Sequence, residues 1–577
     1  MTDAGTAIST RKTITVTNVN DGASTPVVVT AYQIVKGTYK DGKLTDYVLC
    51  DPSNVVIADK EKPTAAEITV IADKIQAGTT TLQGITMTRD ASVAANVKYT
   101  AQVEAGLYIV LATGADETVY NPAVVAVNIT DANNIASTAA GSEVDMTAFF
   151  DYPADAYLKS GTSGFNKDIV SANAMKTEGD VVAFGDKVDF KLYEMTIPSY
   201  SDDYGTGIIY KIEDNLDTAG FKGIYHMDGA NKVSGLLVKV GGTEVAASGD
   251  DDNDPTTPDV VHYTITYKDA AGTEVTGDSV KTNAVSFELN FTDAYIRAHG
   301  NQSVEITYSS VFQDTAGVNY AENKNTAKLS YSIDPTNPAT VKTKTDSTYH
   351  YTIAIDGVLD SQDTSGTNKI ETYELNKVKK SGETYVTGTG ILSAQSTQKS
   401  PEALSGAQFT LYDDAGFATV HQINGVSAIV PSDANGHITF KGLDTGTYYM
   451  KETAAPGTYT LNEKNYQIVI AATLNDEGAM TSYSITINSQ NPSTGDYDVP
   501  EGSAVYAGTP VISATDDTIT NTIIPTVTAG EIVNTKIAQL PATGGTGTIV
   551  LTVVAAIGMG GFLTLYLVNR RKKTEAE

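Results

Sequence analysis

Through most of its length the chain repeats one pattern: short stretches of alternating apolar and polar residues, set between clusters of Gly, Asp and Asn. KTITVTN, VVVTAYQIV and SYSITIN are examples. A period of two sends successive side chains to opposite faces, so each stretch predicts a strand with one buried face. Many such strands between polar turns indicate antiparallel sandwiches. One early segment departs from this. From Thr64 to Gln76, TAAEITVIADKIQ places Ile68, Ile71 and Ile75 at helical spacing and predicts a helix inserted in the first domain. That domain is expected to run to about Asp151, with GLYIVLAT and NPAVVAVNIT among its last strands. A second is expected from Tyr152 to Asp334, opening on GFNKDIV and closing on NKNTAKLSYS. DPTNP, Asp334 to Pro338, then reads as a stiff linker before a third domain over residues 339–536. The expected fold is all-β, a tandem of Ig-like β-sandwich domains.

The pattern changes once more at the end of the chain. From Thr548 to Val568 the residues are apolar and uncharged, long enough as a helix to cross a hydrocarbon core. The cluster Arg570-Arg571-Lys572-Lys573 behind it stays cytoplasmic by the positive-inside preference, which leaves everything before the span outside. Just ahead of the span stands Leu540-Pro541-Ala542-Thr543-Gly544. LPATG, an apolar helix and a basic tail, in that order, resemble the sorting signal of sortase substrates of Gram-positive bacteria. The resemblance implies that a sortase cysteine attacks the carbonyl of Thr543, releases Gly544 with the span, and passes Thr543 to an amine as a new amide. The other reading is an ordinary C-terminal anchor.

Charge and composition narrow the function. Among 577 residues, 69 acids stand against 39 bases, a formal charge of -30 that repels nucleic acid and anionic polymers. No basic stripe precedes Arg570, so the electrostatic footprint of nucleic-acid binding is missing. The single cysteine, Cys50, rules out an intramolecular disulfide framework, although an extracellular protein would favour one. The start, MTDAGTAIS, is polar without an apolar leader core, and the first residues are read as near-mature. The acidic tract SGDDDNDPTTPD, Ser248 to Asp259, is either a calcium-holding or a solvated loop, without EF-hand spacing. Six scattered histidines and the absence of HExxH and GxSxG argue against a wall-anchored hydrolase, and the chain is read as not an enzyme.

In the third domain ETYELNKVKKSG, EALSGAQFTLYDDAG, GLDTGTYYMKETAAPGTYTLN and GEIVNTK follow one another. LSGAQFTLYD and YYMKETAAPGTY, in this order, resemble the Cna protein B-type domain of SpaA-type pilins. The second domain is similar to the central domain of the same pilins through its FNK opening, YKIEDNL and NTAKLSYS, and the first joins them by position. The resemblance implies a self-made lysine-to-asparagine amide in each of the last two domains, catalysed by a buried acid and needing no cofactor. Physical chemistry allows it. A lysine attacks only as a free amine, and burial lowers its pKa by penalising the charged form. A carboxyl buried beside it stays protonated and can donate to the asparagine carbonyl. Two strands of one sheet are expected to hold amine and amide in contact.

Matched residue by residue, the third domain offers Lys377, Glu452 and Asn534, with Lys379 the rival nucleophile and Asn521 the rival amide. The second offers Lys167, Asp214 and Asn325. Glu213 precedes Asp214, and strand alternation lets only one of the two face the core. In polymerising pilins another lysine, in a Y-P-K type motif at the end of the first domain, takes up the sortase acyl group. Here the segment reads FFDYPADAYLKSG, with Ala154 after Tyr152-Pro153, and Lys159 is the candidate acceptor. The function expected is a structural subunit of a covalently polymerised pilus anchored to the cell wall. Its partners would be sortase, identical subunits, peptidoglycan, accessory pilins and host surface ligands. The alternative is a singly anchored adhesin whose first domain binds the ligand.

Overall fold

The computed structural model describes residues 11–19, 27–40, 43–90, 97–113, 117–128, 150, 152–249 without 203 and 205, 260–355 without 335, 336 and 338, 377–379, and 405–534 without 435–437, 458, 516 and 529–531. The expected span, the LPATG segment and nearly all of the acidic tract lie outside these residues. Among the described residues no helix is long and apolar enough to cross a membrane.

The alternation folds as strands, and the architecture is all-β. In the first domain a four-stranded sheet carrying Lys12–Val19 faces a five-stranded sheet carrying Val28–Lys40 and Gly106–Thr113. GLYIVLAT is apolar without alternation because both of its faces are covered. Tyr108, Val110 and Ala112 pack between the sheets. Leu107, Ile109 and Leu111 pack beneath a helix through its Ile68, Ile71 and Ala72. That helix, Ala65–Gln76, begins where Thr64 and Glu67 close a capping box, each side chain bonding the other's backbone N–H.

Two expected boundaries move. Asp155–Tyr157 pairs in parallel with Lys12–Val19, and Ser160–Gly161 pairs with Val119–Tyr120, so the segment after Asp151 completes the first domain. Asp334 to Pro338, expected as an interdomain linker, falls in sequence between Ser332 and Val341, which are register partners of one antiparallel pair within the second domain's sheet. A proline-bearing turn and a proline-bearing linker have the same composition, and only the pairing separates them.

The second domain stacks two seven-stranded sheets. One holds Asn166–Ile169, Lys187–Thr196 and Ser303–Phe312; the other holds Tyr210–Leu216, Asn325–Ser332 and Val341–Tyr351. The third is built on a further seven-stranded sheet that includes Gln408–Tyr412, Gly446–Ala454, Asn465–Leu474 and Ile519–Thr528. The two domains dock closely. Val181, Tyr349 and Tyr351 of the second enter the apolar cluster of the third. The Tyr349 hydroxyl donates to the Asp517 carbonyl, and that of Tyr351 accepts from the Met480 N–H. Gly179 meets Gly478 backbone to backbone, where a Cβ on Gly179 would lie 2.3 Å from the Gly478 oxygen.

Candidate functional site

Asn166–Ile169 is an edge strand whose alternation sends Lys167 and Ile169 inward, leaving Asn166 and Asp168 half-buried to bond Tyr193. Lys167 is fully buried. A buried lysine calls for compensation on every side. Asp214, on Tyr210–Leu216, supplies it: Nζ donates to its Oδ2 at 2.6 Å, with both side chains sealed from solvent. Glu213 takes the opposite face and pairs outward with Lys211 and Lys328, so alternation decides for Asp214. Asn325 enters from the neighbouring strand. Asp214 is the register partner of Ala327 and Leu216 that of Asn325, so acid and amide are diagonal neighbours on one inner face.

Lysine and asparagine do not share a sheet, contrary to expectation. Lys167 belongs to one hydrogen-bonded sheet and Asn325 to the facing one, so the cluster bridges the sandwich. The Lys167 N–H still reaches across to Asp346 Oδ2 at 2.7 Å, which pins the edge strand to the second sheet.

One participant was not foreseen from the sequence. Tyr308, fully buried on Ser303–Phe312, puts its hydroxyl at the centre of the group. It donates to Asp214 Oδ2 at 2.7 Å, accepts from Asn325 Nδ2 at 2.7 Å, and accepts from Lys167 Nζ at 3.2 Å. Its one donor and two acceptor sites are thereby filled. Alternation in SVEITYSSVF places Tyr308 on the inner face with Val304 and Ile306, and a core tyrosine needs a partner for its hydroxyl. That signal was present, but it does not name the partner. Phe190 stacks on Tyr308 and lies 5.2 Å from Nζ. His350 seals the far side, edge-on to Phe190 and Phe221.

Burial governs the electrostatics. It pulls the Lys167 ammonium below its ordinary pKa, against the opposing pull of Asp214. It pushes the Asp214 carboxyl up, against Lys167 and Tyr308. Both shifts favour a neutral amine beside a neutral acid, the protonation states that nucleophilic attack on an amide requires. Asn325 Oδ1 and Asp214 Oδ1 are both buried without a hydrogen-bond partner. An unpartnered carbonyl oxygen and an unpartnered carboxyl oxygen in one sealed cluster are a costly resting arrangement that proton donation would relieve.

In the third domain Glu452 is buried on Gly446–Ala454, opposite Phe409. The strands Lys377–Lys379 and Ile532–Asn534 pair in parallel, bringing together segments more than a hundred residues apart. The register sets Lys377 against Ile532 and Lys379 against Asn534, and both lysines remain candidates. Asn521 donates to the Met480 carbonyl and stands four strands from Glu452 in sheet order. At about 4.8 Å per strand that disfavours it as the amide. Lys159 is exposed, with its carbonyl accepting from the Asn121 N–H. The sorting residues Leu540 to Gly544 lie outside the described residues.

Residues 9–160 match the T6 antigen Ig-like domain, 391–503 the SpaA prealbumin-like fold domain, and 532–575 the LPXTG cell wall anchor motif. Together with the relatives below, these matches support a sortase-assembled pilin of Gram-positive type, held at the cell wall through its anchor motif. Along nearly its whole length the chain is similar to the trypsin-resistant surface T6 protein of Streptococcus pyogenes serotype M6, at 24% identity over 96% of this chain and 94% of the relative. The solved T6 backbone pilin of that organism, described as a modular three-domain structure, shares the fold with a TM-score of 0.52 at 18% identity, covering 91% of this chain and 98% of that one. The major pilin SpaA of Corynebacterium diphtheriae is a more distant neighbour: TM-score 0.39, 14% identity, 82% of this chain and 98% of the other.

Proposed function

We infer that the chain is the repeating shaft subunit of a covalent pilus. Its second and third domains are stapled by isopeptide bonds, Lys167 to Asn325 and Lys377 to Asn534, with Asp214 and Glu452 as the catalytic acids. The single observation that supports this best is the sealed cluster of Lys167, Asp214 and Asn325, in which desolvation favours neutral amine and neutral acid. The neutral Nζ attacks Cγ of Asn325, the acid protonates Oδ1, and ammonia leaves. Proximity within a folded core makes the step effectively unimolecular. Sortase then joins Thr543 of one subunit to Lys159 of the next. A head-to-tail linkage of this kind is heterologous and builds an open filament. Accessory pilins and host ligands would attach to that filament.

The test is the intact mass of the ectodomain, residues 2–536. It should fall short of the sequence mass by two ammonias, and peptide mapping should recover the two cross-linked pairs. A mass equal to the sequence value refutes both staples. One observation favours a second reading, a singly anchored adhesin: Ala154 stands where polymerising pilins carry the motif lysine. If cells with a pilin sortase show only wall-linked monomer, that reading replaces the shaft.

A further inference from the structure

The geometry points to Tyr308 as a catalytic residue of the second-domain isopeptide reaction, a proton relay that carries a proton to the departing nitrogen of Asn325. The inference rests on the reading of Lys167 and Asn325 as a cross-linking pair. Asp214 bonds Lys167 directly, but Asn325 Nδ2 donates instead to the Tyr308 hydroxyl at 2.7 Å, and that hydroxyl donates to Asp214 Oδ2 at 2.7 Å. Among the described residues no hydrogen bond runs from Asp214 to Asn325 Nδ2, and the phenol links the two. The same oxygen lies 3.2 Å from Lys167 Nζ, so it touches both the nitrogen that loses a proton and the nitrogen that gains one.

The steps balance. Nζ of the neutral amine bonds to Cγ of Asn325 while Asp214 gives its proton to Oδ1. The resulting Nζ cation returns a proton to Asp214 Oδ2, with which it already shares a hydrogen bond. The hydroxyl of Tyr308 then turns its proton to Nδ2 as Asp214 Oδ2 reprotonates the phenol oxygen. The Cγ–Nδ2 bond breaks, ammonia departs, and the proton on Oδ1 goes back to the carboxylate. Lysine loses one proton and the amide nitrogen gains one; Asp214 and Tyr308 end as they began. Burial and the neighbouring Asp214 hold the phenol well above its ordinary pKa, so a free phenoxide is disfavoured and donation is coupled to resupply.

The experiment follows ammonia loss in freshly translated, folded ectodomain by intact mass over time, comparing wild type with Tyr308→Phe. The substitution removes one oxygen and keeps the ring against Phe190. Wild type should lose two ammonias promptly. Tyr308→Phe should lose the third-domain ammonia at the wild-type rate and the second-domain one on the order of 100-fold more slowly, the size of a general acid–base contribution. Prompt loss of both in Tyr308→Phe would overturn the relay. If the variant does not fold, a fluorinated tyrosine of lower pKa at the same position keeps the ring and hydroxyl; a changed rate supports the relay and an unchanged one sinks it. If wild type itself shows no Lys167–Asn325 link, the cross-linking reading fails and takes the relay with it, whereas a linked wild type with an unaffected Tyr308→Phe removes the relay alone.

Discussion

Lys167→Met isolates what the proposed Lys167–Asn325 staple contributes to stability. It deletes the amine but keeps an unbranched apolar stem in the pocket beside Phe190. Burial raises the Asp214 pKa, and removing the amine takes away an opposing pull, so the uncharged acid is favoured and still accepts from the Tyr308 hydroxyl. Asp214→Ala is a poorer probe, because it also leaves a buried amine without its principal partner, itself a cost of several kcal/mol. The bond closes a loop of roughly 160 residues, and the chain-entropy expression for a cross-link of that length gives about 5 kcal/mol of denatured-state restriction. For a domain of about 200 residues, each kcal/mol moves Tm by about 2–4 °C, so Lys167→Met should melt about 10–20 °C lower. Calorimetry of the ectodomain, with intact mass confirming one ammonia retained, measures this directly. A variant that lacks the bond yet melts within about 2 °C of wild type would refute the entropic reasoning.

Glu452→Ala should retain one ammonia while Lys167→Met retains the other, and peptide mapping of Lys377→Ala against Lys379→Ala identifies the third-domain nucleophile; bonding in both single variants would refute a unique assignment. In cells, wild type should run as a ladder that boiling in detergent does not disperse, Lys159→Ala as wall-linked monomer, and Thr543→Ala as uncut membrane-held chain; a ladder that survives in Lys159→Ala assigns the acceptor to another lysine. Burial holds the imidazole of His350 at about 3, against 6.5 in the unfolded chain. The unfolded state therefore takes up a proton that the folded state refuses, and this contribution, complete above pH 6.5, is lost as pH falls toward 3. His350→Phe should accordingly lose less stability than wild type between pH 7 and pH 4, read as the difference in Tm, and parallel acid limbs would contradict the assignment.

Local pattern carried much of this molecule. Alternation indicated the strands, and the spacing of Ile68, Ile71 and Ile75 predicted the helix that forms over Ala65–Gln76. Parity along YKIEDNL was enough to say that only one of Glu213 and Asp214 can face inward, and the structure turns Asp214 in. What escaped was non-local. Tyr308 reaches Lys167 and Asn325 only because its strand occupies a particular place in one sheet and a particular height against the other, and neither is written in a period of two. The same limit explains the moved boundaries. Asp155–Tyr157 belongs to the first domain through a parallel pairing with Lys12–Val19, far away along the chain. The placement of Lys167 and Asn325 in facing sheets was missed for the same reason: motifs name candidate residues, whereas sheet membership belongs to the topology.

The position of Lys159 gains meaning when combined with the staples. If Thr543 of one subunit is joined to Lys159 of the next, tension enters each chain at one of these residues and leaves at the other, and the chain before Lys159 stands outside the stressed path. With both isopeptide bonds formed, the covalent route runs from Lys159 to Lys167, crosses to Asn325, continues to Lys377, crosses to Asn534, and ends at Thr543. That route is roughly 70 residues, about 240 Å if drawn straight, whereas the unstapled chain between Lys159 and Thr543 is roughly 380 residues and about 1,300 Å. In the second domain the proposed bond would join facing sheets, so the sandwich could not be peeled apart without breaking an amide. Pulling a single ectodomain between these two points should therefore give extension within the shorter length at any force that spares covalent bonds. Lys167→Met should release the roughly 160 residues between the missing ends as one added step of about 540 Å. Full-length extension in the wild-type protein would show that the staples, or their place in the path of tension, have been misread.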